Sequence, residues 1–178
     1  MSISLKSAVI IFLVISLDCL LYSQENGFVD EHHKIHHHRI HVQYGLVFIP
    51  DGYNNHPDDK GVFIASYAVG YSYRINHKWS IAIEANVEGG NYLIKGDIHR
   101  ENVFIIAAVA GYELMPRWGL FIGGGIEIEK HENYAVMRFG TEYVFPIGKE
   151  WAIAPLLTFD HKVDYTSWEF AVGLSKSF

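Results

Sequence analysis

The last eleven residues, Trp168 to Phe178, constrain the fold more than any other stretch of the chain. They read WEFAVGLSKSF, in which large apolar residues alternate with small or polar ones. Alternation with a period of two is typical of a β-strand whose two faces meet different surroundings. Here the bulky, aromatic residues share one face and the other face is small, whereas a strand of a water-soluble sandwich hides its bulky face and shows charges to water. The pattern therefore predicts a strand that presents its large side chains to an apolar environment.

Seven further segments repeat this alternation earlier in the chain. With the last one, the predicted strands cover residues 40–48, 62–75, 79–88, 103–114, 118–129, 134–145, 151–160 and 168–178. The fourth segment is apolar on both faces, so we place Phe104 and Tyr112 outward, which leaves Gly111 and Glu113 inside. Connections after even-numbered strands are short and most others are longer, although residues 130–133 are an exception. The sequence predicts an all-β fold, a single eight-stranded antiparallel up-and-down transmembrane β-barrel over residues 39–178.

The N-terminal residues predict export. Lys6 precedes an apolar run that ends near Ser23, which is typical of a secretory signal peptide over residues 1–23. Residues 24–38 then form a polar, His-rich segment. The chain has one cysteine, Cys19, inside the predicted signal, so the mature chain has no thiol for a disulfide or a metal. No run of 18 apolar residues follows, so no transmembrane helix is expected.

Aromatic residues recur at the ends of the predicted strands. Trp79, Trp118 and Trp151 each begin a strand after a short turn, and Trp168 and Phe178 bound the last strand. Tryptophan is enriched where a membrane meets water. Together with the even strand count, these features resemble the small eight-stranded outer-membrane β-barrel proteins of Gram-negative bacteria. Over residues 39–178, the resemblance implies an outer-membrane location with both termini in the periplasm, contact with outer-membrane lipid, and insertion by the barrel assembly machinery.

The lumen of an eight-stranded barrel is just filled by side chains, so a wide pore is not expected. The predicted inward positions are mostly small: Gly70, Ala82, Gly123, Gly125, Gly140, Ala152, Ala154, Ala171 and Gly173. Three charged residues, Glu84, Arg138 and Glu142, also point inward. Because a buried carboxylate is costly unless it is paired, we expect Arg138 to be shared between the two glutamates. Structural charge pairing is the simplest interpretation of this lumen network.

Acidic residues accumulate at the predicted outer end of the barrel. The outer-rim cluster contains Glu88, Glu127, Glu129, Asp160 and Glu169, with His131 on the same face. Carboxylate oxygens can hold a divalent cation. The alternative, a solvated acidic rim, fits better with the lack of any EF-hand-like spacing.

Histidines are concentrated just before the first strand, at His32, His33, His36, His37 and His38. In a helix, residues 32 and 36 and residues 33 and 37 would be four apart and could bind Zn, Ni or Cu. A solvated tail explains the composition equally well. No other cofactor is required by the sequence.

The sequence favours a non-enzymatic role. A net charge of −6 argues against a nucleic-acid partner. No nucleophile–base spacing is visible, since His131 lies in KHEN without a serine two residues later. We expect an outer-membrane protein with a structural or surface-interaction role, which presents loops 50–61 and 89–101 to an extracellular partner. A transition-metal-binding accessory protein is the first alternative, and a lipid acyl-modifying barrel enzyme is the second.

Overall fold

A computed structural model describes residues 36–53, 61–94 and 98–178. Its strands are β1 (His38–Ile49), β2 (Gly52–Tyr53), β3 (Val62–Arg74), β4 (Trp79–Ile94), β5 (Ile98–Met115), β6 (Trp118–Ile128), β7 (Tyr134–Tyr143), β8 (Phe145–Pro146), β9 (Trp151–His161) and β10 (Thr166–Ser177). The predicted signal peptide and most of the His-rich segment lie outside the described residues. In the part of the chain that is described, no helix is long and apolar enough to cross a membrane.

The eight long strands form one sheet that closes on itself. Each pairs antiparallel with the next along the chain, and β10 returns to pair with β1, from Arg39 opposite Ser177 to Phe48 opposite Trp168. The short strands are additions to this ring, since β2 pairs only with β4 and β8 only with β9. Closure satisfies the backbone groups that a sheet edge would leave unpaired. The predicted eight-stranded antiparallel barrel is confirmed.

The two faces of the strands differ as the alternation predicts. In β10 the outward Phe170 is 56% exposed, whereas the neighbouring inward Ala171 is 6% exposed. In β5, Val103 and Ile105 are buried inside, and Tyr112 lies on the outer face with its ring 4.8 Å from that of Trp79. Large apolar side chains are exposed on all eight long strands. A continuous apolar surface of this kind indicates contact with lipid or with another apolar surface.

The prediction of a loop over residues 89–101 is wrong for most of its length. Strand β4 continues to Ile94 and β5 begins at Ile98, so the two strands form a long hairpin. A bulge interrupts it where Gly89 and Gly90 lie opposite Asn102, whose φ of 49° places its backbone in the left-handed region. Glycine and asparagine tolerate such geometry, and for the same reason they suggest a loop in the sequence.

Apolar side chains fill the end of the barrel from which this hairpin extends, here called the distal end. The distal cap consists of Val47, Ile49, Val62, Ile64, Tyr92, Ile94, Val103, Ile105, Tyr134, Val136 and Tyr165, all buried together. Tyr92 and Ile94 come from the extended part of β4, and β2 pairs with that segment through Gly52 opposite Ile94. Of the predicted loop 50–61, residues 52–53 are therefore strand, and residues 54–60 lie outside the described residues.

Short turns close the opposite end, here called the terminal end because it holds both His38 and Phe178. Backbone hydrogen bonds join neighbouring strand ends at this level. Arg74 N–H donates to the carbonyl of His37 at 2.7 Å, and Phe178 N–H donates to the carbonyl of His38 at 2.9 Å. Trp79, Trp118 and Trp151 point outward at this level and are 37–49% exposed. Trp168 lies towards the distal end, where its ring packs 4.6 Å from that of Phe159. Outward aromatic residues thus lie near both ends of the barrel.

The outward position of Ile122 in β6 can be tested directly. Ile122 is 54% exposed and lies at mid-strand. Facing hydrocarbon, Ile122→Arg lowers the free energy of unfolding by roughly 2–4 kcal/mol. Ile128→Arg, outward at the strand end, is the depth control and costs about 0–1 kcal/mol. Equilibrium unfolding in lipid bilayers measures both. Equal effects at the two sites would contradict this placement of the β6 outer face.

Candidate functional site in the barrel lumen

A buried arginine organises the middle of the lumen. Arg138 donates from Nε and Nη2 to both carboxylate oxygens of Asp160, at 2.8 and 2.7 Å, and from Nη1 to Glu84 at 3.0 Å. Arg138 and Asp160 are directly opposite each other on β7 and β9. His41 lies 3.6 Å from the other oxygen of Glu84. This mid-lumen network pairs a side chain that is 2% exposed with carboxylates from two other strands.

Arg138 pairs with Glu84 as expected, but the expected pairing of Arg138 with Glu142 is wrong. Glu142 instead accepts a hydrogen bond from Arg39 Nη2 at 2.9 Å, where both side chains are 24% exposed. Glu142 lies four positions after Arg138 on the same strand, a distance of about 13 Å. Asp160, expected at the outer rim, takes the place of Glu142 because the pairing of β7 with β9 brings it directly across from Arg138.

Glu169 is also inside the barrel and not at a solvated rim. It is 6% exposed and accepts hydrogen bonds from the hydroxyl of Ser66 and from the amide of Asn86, the latter at 3.2 Å. The donors come from β3 and β4, whereas Glu169 belongs to β10. A buried carboxylate is tolerated when hydrogen-bond donors surround it, and three strands supply that environment here.

A second network lies among the residues of the distal cap. This distal network consists of Arg100, Glu127, Glu129, Lys162 and Tyr165. Glu127 lies 3.1 Å from Lys162 Nζ and 3.4 Å from Arg100 Nε, and it accepts the Tyr165 hydroxyl at 2.7 Å. Arg100 also lies 3.4 Å from Glu129 and 4.0 Å from the centre of the Tyr134 ring. The side chains of Arg100, Glu127, Glu129 and Lys162 are all inaccessible to solvent.

The solvated-rim interpretation of these carboxylates is therefore wrong. Glu88, Glu127, Glu129, Asp160 and Glu169 are between 0 and 8% exposed. Only His131 of the predicted cluster is exposed. Sequence analysis missed Arg100 and Lys162 because both fall in segments predicted to be loops, where a basic residue is ordinarily solvated. The carboxylates that pair with Arg100 and Lys162 lie far from them in the sequence, so no local sequence pattern indicated these ion pairs.

Lys162 anchors the turn between β9 and β10 to this network. Its backbone N–H donates to the carbonyl of Tyr165 at 3.0 Å, and its ammonium donates to Ser167 at 3.0 Å. Burial acts to lower the pKa of Lys162, but the carboxylates of Glu88, Glu127 and Asp160 outweigh it and raise the pKa above its ordinary value. The ammonium therefore stays charged at neutral pH.

Acids outnumber bases inside the lumen. Among the described residues, the buried Glu88, Glu127, Glu129, Asp160 and Glu169 and the largely buried Glu84 accompany only three buried arginine or lysine side chains, those of Arg100, Arg138 and Lys162. Glu88 Oε2 and Asn86 Oδ1 are buried without a hydrogen-bond partner in that part of the chain. Even so, no three His, Cys, Asp or Glu side chains within the described ranges are arranged to hold a metal ion. The outer-rim cluster does not form the divalent-cation site considered from sequence.

The histidines before β1 contact the barrel where they are described. His37 Nδ1 lies 2.8 Å from the carbonyl oxygen of Arg74, and His38 Nδ1 lies 2.6 Å from the Tyr71 hydroxyl. The His38 ring also stacks on Phe178, with centroids 5.6 Å apart. His38 is the first residue of β1, whereas the helical pairs considered for metal binding, 32/36 and 33/37, stay a prediction. His32 and His33 lie outside the described residues.

Comparisons with known proteins support the fold. No protein-family model and no curated protein matches the chain. Among solved structures, Ail, the attachment invasion locus protein of Yersinia pestis, matches with a TM-score of 0.53 and 12% identity, over 81% of this chain and 100% of that one. Neisserial surface protein A matches with a TM-score of 0.56 and 10% identity, over 79% of this chain and 97% of that one. Both are small eight-stranded outer-membrane β-barrels, and at these identities the likeness concerns the fold alone.

The sequence predicts Glu142 as a partner of Arg138, whereas the structure has Asp160 in that place. Substituting each carboxylate in turn tests this difference. Asp160→Asn removes the carboxylate that accepts two hydrogen bonds from the buried Arg138, leaving only Glu84 as its charged partner, and costs roughly 3–5 kcal/mol in unfolding free energy. Glu142→Gln breaks a half-exposed pair and costs about 0–1 kcal/mol. Urea unfolding of each variant in bilayers measures the difference. If Glu142→Gln proved the more damaging, the pairing of β7 with β9 would be wrong.

Proposed function

We propose that this chain, which has the fold of the small eight-stranded outer-membrane barrels, acts in the outer membrane as a non-enzymatic barrel without a wide pore. Its role is structural or that of presenting a surface at its distal end. The observation that carries this proposal is the contrast between the apolar outer face and the lumen, which is occupied by paired charges and the distal cap. Each long strand also presents large apolar side chains outward.

The outer face supports the membrane location. β6, for example, spans from the exposed Trp118 to Ile128 with outward Leu120, Ile122 and Ile126 between them. Strands of roughly 9–11 tilted residues are long enough to cross the hydrocarbon core. The outward aromatic residues near the two ends suit the two membrane–water boundaries. On this proposal, outer-membrane lipid surrounds the barrel and the barrel assembly machinery inserts it.

The filled lumen supports a role other than diffusion of solutes. Arg100 and Lys162 of the distal network are buried, and the buried apolar residues of the distal cap share that end of the barrel. A solute would have to displace paired charges and a packed apolar cluster. Breaking buried ion pairs costs several kcal/mol each, which opposes spontaneous opening.

The distal end supports the surface role. Here the long β4–β5 hairpin replaces the loop expected over residues 89–101, and it carries the exposed Glu101. The turn between β9 and β10 adds Val163, which is 79% exposed. With the chain termini in the periplasm, these features face the cell exterior, where an extracellular partner can reach them.

Catalysis is not part of this proposal. Ser167, the hydroxyl near the end of the last connection, is 2% exposed and accepts a hydrogen bond from Lys162. His131 lies on the exposed connection between β6 and β7. A nucleophile needs a base within hydrogen-bond reach and access to its substrate, and the buried Ser167 has no such access. A transition-metal role is taken up below.

The orientation can be measured because the predicted mature chain has no cysteine. Val163→Cys places a single thiol on the exposed distal turn, and Lys149→Cys places one on an exposed terminal-end turn. We expect a membrane-impermeant maleimide to label Val163→Cys on intact cells, and Lys149→Cys only after the outer membrane is permeabilised. The unsubstituted protein is the control for background labelling.

The opposite labelling pattern would invert the orientation. Recovery of the protein from the soluble periplasmic fraction, instead of from outer membranes, would contradict the proposed function as a whole.

A further inference from the structure

Two histidines meet on the distal surface, outside the buried networks. His99 lies in the extended part of β5, and His131 lies in the connection between β6 and β7. Their ring centroids are 5.9 Å apart, and the ring planes are nearly perpendicular at 85°. His131 is exposed and His99 is half-buried. Sequence analysis noticed His131 but not His99, because His99 fell in a predicted loop 32 residues away in sequence.

Arg100 holds both histidines in place. It directly follows His99, and its Nη1 donates to the carbonyl of Glu132 at 2.7 Å. The carboxylate of Glu129, which lies 3.4 Å from Arg100, accepts the backbone N–H of His131 at 2.8 Å. One buried guanidinium thus fixes the strand on which His99 lies and the connection that carries His131. A pair positioned in this way loses little freedom when it binds a ligand.

The separation of the rings suits a shared metal ion. With a Zn–N distance of about 2.0–2.1 Å, two imidazoles bound to one tetrahedral ion have their centroids about 5 Å apart. The observed separation of 5.9 Å is slightly longer, so binding one ion requires the exposed His131 side chain to rotate towards His99. Imidazole is a ligand for Zn, Cu and Ni, whereas Mg and Ca prefer oxygen.

Glu129 contacts the pair through the backbone N–H of His131. Glu129 is 8% exposed, and its Oε1 is buried without a hydrogen-bond partner in the described part of the chain, while Oε2 is occupied by Arg100 and His131. No three-residue metal group is formed as the side chains stand. The pair therefore supplies two nitrogen ligands, and water completes the shell unless Glu129 moves.

We propose that His99 and His131 form a two-histidine binding site for a transition-metal ion such as Zn, Ni or Cu on the distal surface of the barrel. An open shell with two protein ligands binds metal reversibly and leaves positions for a ligand from outside. The site is independent of the histidines that precede β1, and it does not depend on the structural role proposed above.

Isothermal titration with ZnCl₂ and with NiCl₂, on the full protein folded in detergent, tests this site. We expect the double variant His99→Asn/His131→Asn to bind at least about tenfold more weakly than the parent. The matched control is His32→Asn/His33→Asn/His36→Asn, which removes three histidines from the N-terminal tract but leaves His37 and His38 in their barrel contacts. We expect this control to keep the parent affinity at the distal site.

Electron paramagnetic resonance of Cu(II) gives a second readout. The parent should show two coordinated nitrogens at one Cu(II) equivalent, and the single variant His131→Gln should show at most one. Equal affinity of the parent and the double variant would overturn the proposal, as would loss of binding in the N-terminal control alone. Absence of binding by the parent at millimolar metal would also overturn it, leaving the pair as an edge-to-face aromatic contact.

Misfolding cannot imitate the expected result, because a heat-shift on gel electrophoresis reports barrel closure for each variant. His131 is exposed, so His131→Gln keeps the test available if the double variant does not fold. Cysteine labelling for orientation is unaffected by these substitutions, so failure of the metal site and failure of the proposed function are distinguishable.

Discussion

Backbone hydrogen bonding in a medium without water is the constraint on which the rest of this structure depends. In hydrocarbon every N–H and C=O group must be paired within the protein, and the pairing of β1 with β10 achieves this by removing both edges of the sheet. Closing eight strands fixes a narrow lumen. Space inside is so limited that a side chain at Gly123 would collide with the carbonyl oxygen of Ala108. The choice of inward residues follows from that lack of space.

Within this narrow space the charges are arranged in levels. Arg39 pairs with Glu142 near the terminal end, Arg138 pairs with Asp160 and Glu84 in the middle, and Arg100 and Lys162 pair with Glu127 at the distal end. A buried ion pair often contributes little net stability compared with apolar packing. It does, however, specify which strands must lie side by side, because each alternative pairing leaves a charge unmatched. These ion pairs therefore contribute more to the register of the strands than to the stability of the barrel.

The sequence predicted what depends on local alternation and missed what depends on pairing between distant strands. A period of two identified each long strand and the outward position of Ile122 and Phe170. It could not show that Asp160 faces Arg138, since register across β7 and β9 is not encoded in either strand alone. The bulge at Gly89, Gly90 and Asn102 has the composition of a loop, which concealed the hairpin and with it Arg100. The burial of Glu127 and Glu129 beside Arg100 was equally invisible from the sequence.

The position of Glu169 has a consequence for the order of assembly. Its donors, Ser66 and Asn86, precede it by 103 and 83 residues, and Glu142 is likewise separated from Arg39 by 103 residues. A nascent chain that placed its strands in the membrane one at a time would carry these carboxylates into hydrocarbon before their donors were beside them. Pairing these groups therefore requires strands from both ends of the chain to be side by side at the same time.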